Sequence, residues 1–114
     1  MPALPVTYLF SRACPSHDEG LELLREAAAR AGVEIALEVV EVTSDREAEE
    51  RRFPGSPTYL ADGRDLFAPE APPHAFVHDA CRAFARPGGR VGPLPDAQDL
   101  ARALQAAADR REAA

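Results

Sequence analysis

Two residues of this 114-residue chain carry a thiol, Cys14 and Cys81, and the first stands in the segment Cys14-Pro15-Ser16-His17. The apolar run before this segment reads as a strand and the pattern after it as a helix. Cys14 is therefore expected at the helix N-cap, with Pro15 at the first helical position, where a missing N–H costs nothing. Unpaired N–H groups and the positive end of the helix dipole favour a thiolate there, which is the nucleophilic form of cysteine. His17, in the first turn, can set its ring beside the sulfur; protonated, it would stabilise the thiolate, and neutral, it could carry a proton during exchange. The plainer alternatives are a buried packing cysteine and an exposed histidine without a role.

Nothing in the spacing sets Cys81 beside Cys14, so a packing role is preferred for it; were it to reach Cys14, it would be the only candidate resolving thiol. Cys14, His17 and Cys81 are too few and too scattered for a metal site, and no metal is expected. His74 and His78 are read as surface residues rather than zinc ligands. The glycines Gly88, Gly89 and Gly92 lack the strand-to-helix setting of a phosphate loop.

The elements that must position these residues follow from periodicity. Val6-Thr7-Tyr8-Leu9-Phe10 is β-branched, aromatic and almost continuously apolar, as in a central strand covered on both faces. From Pro15 onward Leu21, Leu24, Ala27, Ala28 and Ala31 recur at helical spacing and Gly32 stops the pattern. Residues 33–42 alternate apolar and acidic, which predicts a second strand at or near a sheet edge. Ser44 with Glu47 suggests a capping box ahead of a short, solvated helix over 46–53. After the breakers Pro54-Gly55-Ser56-Pro57 comes a short strand, Thr58 to Ala61, and a tight turn at Asp62-Gly63. The proline-rich stretch 64–73 reads as a loop, and 76–85 as either helix or strand. Asp96 is expected to cap a terminal helix with an apolar side of Ala97, Leu100, Ala103, Leu104 and Ala107, whose charged tail, 109–114, frays. The order predicts one α/β domain over residues 1–114, with helices on both faces of a mixed sheet of about four strands.

Composition bounds the partners. Thirteen basic residues, all arginine, face 19 acidic ones for a net charge of -6, which repels phosphate backbones and anionic membranes. Neither nucleic acid nor a membrane is an expected partner. The start of the chain shows no basic leader and no apolar run long enough to span a bilayer, and two cysteines alone suit free thiols in a reducing compartment. A cytoplasmic protein is expected.

A strand ending near Cys14-Pro15-x-His17 at a helix start, followed by Gly55-Ser56-Pro57-Thr58 opening another strand, resembles the thioredoxin superfamily over most of residues 6–107. Together with Asp62-Gly63-Arg64-Asp65 and Ala80-Cys81-Arg82, it is similar to small bacterial thioredoxin-like proteins placed beside alkylmercury lyases. The resemblance implies a thioredoxin-like three-layer sandwich, Cys14 as the attacking cysteine, Pro57 as a cis-proline facing it, and Ser56, Pro57 and Thr58 as the substrate-binding loop, Ser56 offering its backbone to an extended substrate. It also implies that the segment near Cys81 is the last strand of the sheet.

One departure matters: His17 stands where the dithiol members carry their second cysteine. A monothiol can still form a mixed disulfide, but release then requires glutathione, another low-molecular-weight thiol or a distant protein thiol. The expected activity is therefore thiol-disulfide exchange of monothiol type, with no bound cofactor and with a protein or small-molecule thiol or disulfide as partner. The alternatives are a non-catalytic module that recognises a protein or peptide and, ranked lower, a binder of thiophilic metals or organomercurials.

Overall fold

The computed structural model describes residues 3–68 and 75–113. Pro69, Pro72 and Pro73 of the proline-rich stretch, and His74 after it, lie outside the described residues.

The apolar run forms the central strand β1, Leu4–Phe10, and its alternation divides the interior. Leu4, Val6 and Tyr8 face one cluster of buried residues and Leu9 the other, because successive strand residues point to opposite faces. Strand β2, Ile35–Glu41, runs parallel to β1 with Val6 opposite Leu37, and it ends the sheet on that side, as its acidic alternation predicts. On the other side β3, Thr58–Ala61, runs antiparallel with Tyr8 opposite Tyr59. Asp62 and Gly63, at φ of 50° and 79°, then turn the chain into β4, Arg64–Asp65. Positive φ at both central residues is what a tight hairpin turn of this hand requires. The sheet is mixed and four-stranded, in the order β2-β1-β3-β4.

Helix α1, His17–Ala31, connects the two parallel strands and closes on Gly32, whose left-handed backbone lets its N–H reach the carbonyls of Ala28 and Ala29. Helix α2, Asp45–Arg51, opens as anticipated: Ser44 Oγ accepts from the Glu47 N–H at 3.1 Å, and the Glu47 carboxylate accepts from the Thr43 N–H at 2.9 Å. The reciprocal arm thus reaches one residue further back than in the usual capping box. Helix α3, Ala97–Ala113, begins on Asp96, which accepts from the N–H groups of Gln98 and Asp99. The stretch from Asp109, expected to fray, continues this helix to Ala113, and Arg111 pairs with Asp62 in the β3–β4 turn.

Helices α1 and α3 share one face of the sheet, where Leu24, Ala27, Leu100 and Leu104 meet Leu4, Val6 and Tyr8. Helix α2 contributes Ala48 to the opposite face, against Leu9, Val42 and Phe53. Each fully buried leucine contributes about 1.5–3 kcal/mol of transfer free energy, so these two clusters hold the layers together. No helix among the described residues is long and apolar enough to cross a membrane.

Two expectations need correction. The stretch from Arg64 begins as strand β4 rather than as loop, because the turn at Asp62-Gly63 folds it straight back onto β3. The segment near Cys81 is not the last strand of the main sheet. It makes a single parallel bridge, Cys81 with Ser56, before β5, Phe84–Arg86, pairs with β6, Arg90–Gly92, in a separate hairpin. Arg82, next to Cys81, is buried in a strongly polar contact, and that anchor turns the backbone towards the Ser56 loop instead of along β4.

Candidate functional site

The chain leaves β1 through a tight turn in which the Cys14 N–H donates to the Ser11 carbonyl at 3.1 Å. A second turn follows, with the His17 N–H 3.4 Å from the Cys14 carbonyl, and the first regular helical bond runs from Gly20 to Ser16. The N-cap is Ser16, so Cys14 and Pro15 precede the helix and do not hold the cap and first helical positions. Proline still suits this place, since its lost N–H has no helical partner to miss. The Cys14 sulfur is directed across the site instead, where its thiol donates to the Ser56 carbonyl at 3.5 Å. Cys14 is 2% exposed.

His17 contacts Phe10 and Asp18. Its ring stacks on Phe10, with centroids 5.1 Å apart and planes at 25°, and its Nδ1 lies 3.1 Å from Asp18 Oδ1. Phe10 offers the ring a flat apolar surface and Asp18 a carboxylate. These two contacts help fix the start of α1.

Ser56, Pro57 and Thr58 come together opposite Cys14, joined by a cis Ser56–Pro57 bond. All three are buried. Ser56 Oγ accepts from the Ser11 N–H at 3.0 Å, which ties this loop to the turn that carries Cys14. The backbone of Ser56 is already engaged within the chain: its N–H donates to the Ala80 carbonyl at 2.9 Å and its carbonyl accepts from the Arg82 N–H at 3.1 Å. An incoming extended substrate would find both groups taken.

This pairing is what seats Cys81. The residue flanked by Ala80 and Arg82 stands opposite Ser56, on whose carbonyl the Cys14 thiol rests, so both thiols belong to one site. Cys81 is exposed whereas Cys14 is buried. Its thiol is held above the ordinary cysteine range, first by partial burial and then by the charge of Cys14 and its interaction with that side chain. The packing role preferred for Cys81 is therefore corrected: it is a surface thiol beside the buried one.

Several residues build the site in ways that the sequence motifs containing some of them did not foretell. Gly55, at φ of 143°, lies under the covering segment, and a Cβ there would stand 3.0 Å from Arg82 N and from Cys81 C. Arg82 holds Asp65 with both guanidinium nitrogens, at 2.9 and 3.2 Å, and stacks over Phe84 with 4.7 Å to the ring centroid. Burial lowers the Arg82 pKa and the neighbouring Asp65 carboxylate opposes that shift. Thr58 Oγ1 donates to the Gly55 carbonyl at 2.7 Å. Beneath Cys14, the Tyr8 hydroxyl donates to the His17 carbonyl and the Tyr59 hydroxyl to the Gly20 carbonyl at 3.0 Å. Burial, and for Tyr8 also the charge of Cys14, raises both phenol pKa values, so both remain donors. Only pairing in space, through β1 and β3, brings these groups to the helix start.

At the rim, His78 sits on Asp45 at the beginning of α2: its N–H donates to Asp45 Oδ1 at 3.0 Å and its Nδ1 lies 2.6 Å from the same oxygen. This contact fastens the segment leading to Cys81. Among the described residues no group of three or more His, Cys, Asp or Glu side chains converges as a metal centre would need.

No family model, no curated protein and no solved structure matches the chain.

Proposed function

We propose that this protein is a thioredoxin-like thiol-disulfide exchange protein whose chemistry depends on Cys14. The observation that carries the reading is the meeting of two free thiols on the two sides of Ser56, one buried against its carbonyl and the other exposed on the segment paired with it. The thioredoxin-like reading of the fold is supported by the element order, strand-helix-strand-helix, hairpin, a second separate hairpin, closing helix, and by the position of Cys14 after the central strand.

The chemistry is the exchange of one S–S bond for another. A protein thiolate attacks a disulfide, a mixed disulfide forms, and a second thiolate releases it. Reducing equivalents come from glutathione or another low-molecular-weight thiol, and the partner is a thiol or disulfide of a protein or small molecule in a reducing compartment, the cytoplasm. A module that only recognises an extended peptide at the Ser56 loop is less well supported, because the backbone groups it would use are bonded to Ala80 and Arg82.

The test is the rate at which glutathione reduces hydroxyethyl disulfide with and without the protein. The protein is expected to accelerate the reaction, and the double variant Cys14→Ser/Cys81→Ser, checked for folding by circular dichroism, to lose the acceleration. A parent rate equal to the background, or a folded double variant as fast as the parent, would remove the proposal.

A further inference from the structure

Resting on thiol-disulfide exchange as the activity, we infer that the exposed Cys81 is the thiol that first attacks the substrate disulfide, and that the buried Cys14 is the resolving thiol that attacks Cys81 from inside.

The argument is one of access and direction. Displacement at a disulfide is in line: the attacking sulfur, the sulfur attacked and the leaving sulfur need a common axis, so room is required on both sides of the central atom. Cys14, 2% exposed, lies between its own turn, the Ser56 carbonyl and the segment that carries Cys81. No disulfide with groups on both sulfurs reaches it unless the pairing of Ser56 with Ala80 and Arg82 breaks and the Arg82–Asp65 contact moves with it. Cys81 meets solvent as it stands. Once a substrate sulfur is attached to Cys81 on the solvent side, the buried Cys14 is on the inner side, and the departing group leaves outward.

The same construction explains why the covering segment is so firmly seated. Ser56 holds it from both sides by its N–H and carbonyl, Gly55 lacks the Cβ that would push it off, and Arg82 anchors it on Asp65. A segment meant to lift for each substrate would have little use for a bidentate buried anchor. One that must present a thiol to solvent while keeping it within reach of a buried thiol needs such an anchor.

The steps balance. The Cys81 thiolate attacks one sulfur of R–S–S–R; the Cys81–SR bond forms, the substrate S–S bond breaks, and the first RS⁻ leaves and takes a proton from water. The Cys14 sulfur then attacks Cys81 Sγ; the Cys14–Cys81 bond forms, the Cys81–SR bond breaks, and the second RS⁻ takes the proton that Cys14 gives up. The substrate has gained two electrons and the protein has lost them. Two molecules of a low-molecular-weight thiol restore both cysteines and become that thiol's disulfide.

The experiment uses oxidised glutathione as the probe and mass spectrometry as the readout. The reduced parent is expected to end as the internal Cys14–Cys81 disulfide, Cys14→Ser to retain one glutathione on Cys81, and Cys81→Ser to capture glutathione at least about tenfold more slowly than Cys14→Ser does, since access limits a buried thiol. Acid quenching of the parent at early times, followed by peptide mapping, gives the order of attack without any substitution and decides the matter if a variant fails to fold. Glutathione found first on Cys14, or capture by Cys81→Ser as fast as by Cys14→Ser, overturns the assignment while leaving thiol-disulfide exchange standing. A parent that takes up no glutathione and forms no internal disulfide overturns both.

Discussion

Arg82 meets Asp65 with both guanidinium nitrogens, at 2.9 and 3.2 Å, and the pair is nearly closed to solvent, the side chains being 5% and 18% exposed. A buried cation is tolerated because its carboxylate partner and Thr58 Oγ1 replace the water it has lost. The contact also sets the backbone next to Cys81. Asp65→Ala strands the guanidinium, and removing one partner of a buried pair typically costs about 3–5 kcal/mol. Urea denaturation is expected to show a loss of that order. An unchanged midpoint would mean that the charge finds water instead. Arg82→Met, which removes the need for the partner, is expected to cost less than Asp65→Ala.

Gly55 permits the covering segment to close. With a Cβ 3.0 Å from backbone atoms of both Cys81 and Arg82, and a backbone at φ of 143°, Gly55→Ala forces the segment outward. A penalty of about 1.4 kcal/mol on the closed form alone raises the open population about tenfold. The rate of iodoacetamide alkylation at Cys14, followed by peptide mapping, is expected to rise by that factor while the circular dichroism of the sheet and helices stays the same. Equal rates in parent and variant would show that the segment does not guard Cys14.

The rim contact responds to pH. His78 is raised above the ordinary 6.5, first by its hydrogen bond to Asp45, which outweighs the opposing effect of burial, and then by the charges of Asp45 and Asp79; Asp45 is lowered from the ordinary 3.8 by its hydrogen bonds to His78. A raised histidine contributes its stabilisation fully below the unfolded value of 6.5 and loses it as pH climbs through the folded value. A lowered aspartate contributes above 3.8 and loses its share as pH falls through the folded value. The contact is therefore strongest between these two ordinary values and weakens as pH rises from 6.5 through the folded value of His78. An NMR titration of the His78 ring is expected to give a midpoint above 6.5 that falls in Asp45→Asn. A midpoint unaffected by that substitution would exclude the pair.

What the sequence disclosed and what it concealed divide along one physical line. Periodicity, caps and turn residues are local, and they foretell β1, α1 with its Gly32 stop, the exposed edge strand β2, the Ser44 and Asp96 caps and the Asp62-Gly63 turn. The site depends on approach across the fold, which local pattern does not encode. Cys81 and Arg82 lie in a stretch whose pattern fits helix and strand alike, and the backbone bonds of Ala80 and Arg82 on either side of Cys81 go to one residue, Ser56, rather than to a ladder. Spacing alone does not foretell that the His17 ring lies on Phe10 and beside Asp18. The N-cap shifted from Cys14 to Ser16 for a similar reason: two successive turns after Ser11 use the N–H groups of Cys14 and His17 before the helix begins.

Gly20, in the first turn of α1, is the point where helix, sheet and Ser56 loop converge. A Cβ there would collide with the Tyr8 hydroxyl and stand 3.2 Å from both Pro57 Cγ and Leu94 Cδ2. By helix propensity alone Gly20→Ala should stabilise by about 0.8–1.0 kcal/mol. Tyr8 is 1% exposed and its ring stacks beside Phe10 and Tyr59, so it has no space into which to retreat. Overpacking of this kind costs about 1–3 kcal/mol, which outweighs the propensity gain, so a net loss of stability is expected in thermal or urea unfolding. The cause is separable from a general intolerance of the helix start. Tyr8→Phe deletes the colliding oxygen, together with its bond to the His17 carbonyl, and should recover part of the loss when combined with Gly20→Ala, giving a non-additive double-mutant cycle. Strict additivity of the two substitutions would place the strain at Pro57 or Leu94 instead, and would predict that Leu94→Ala, not Tyr8→Phe, relieves it.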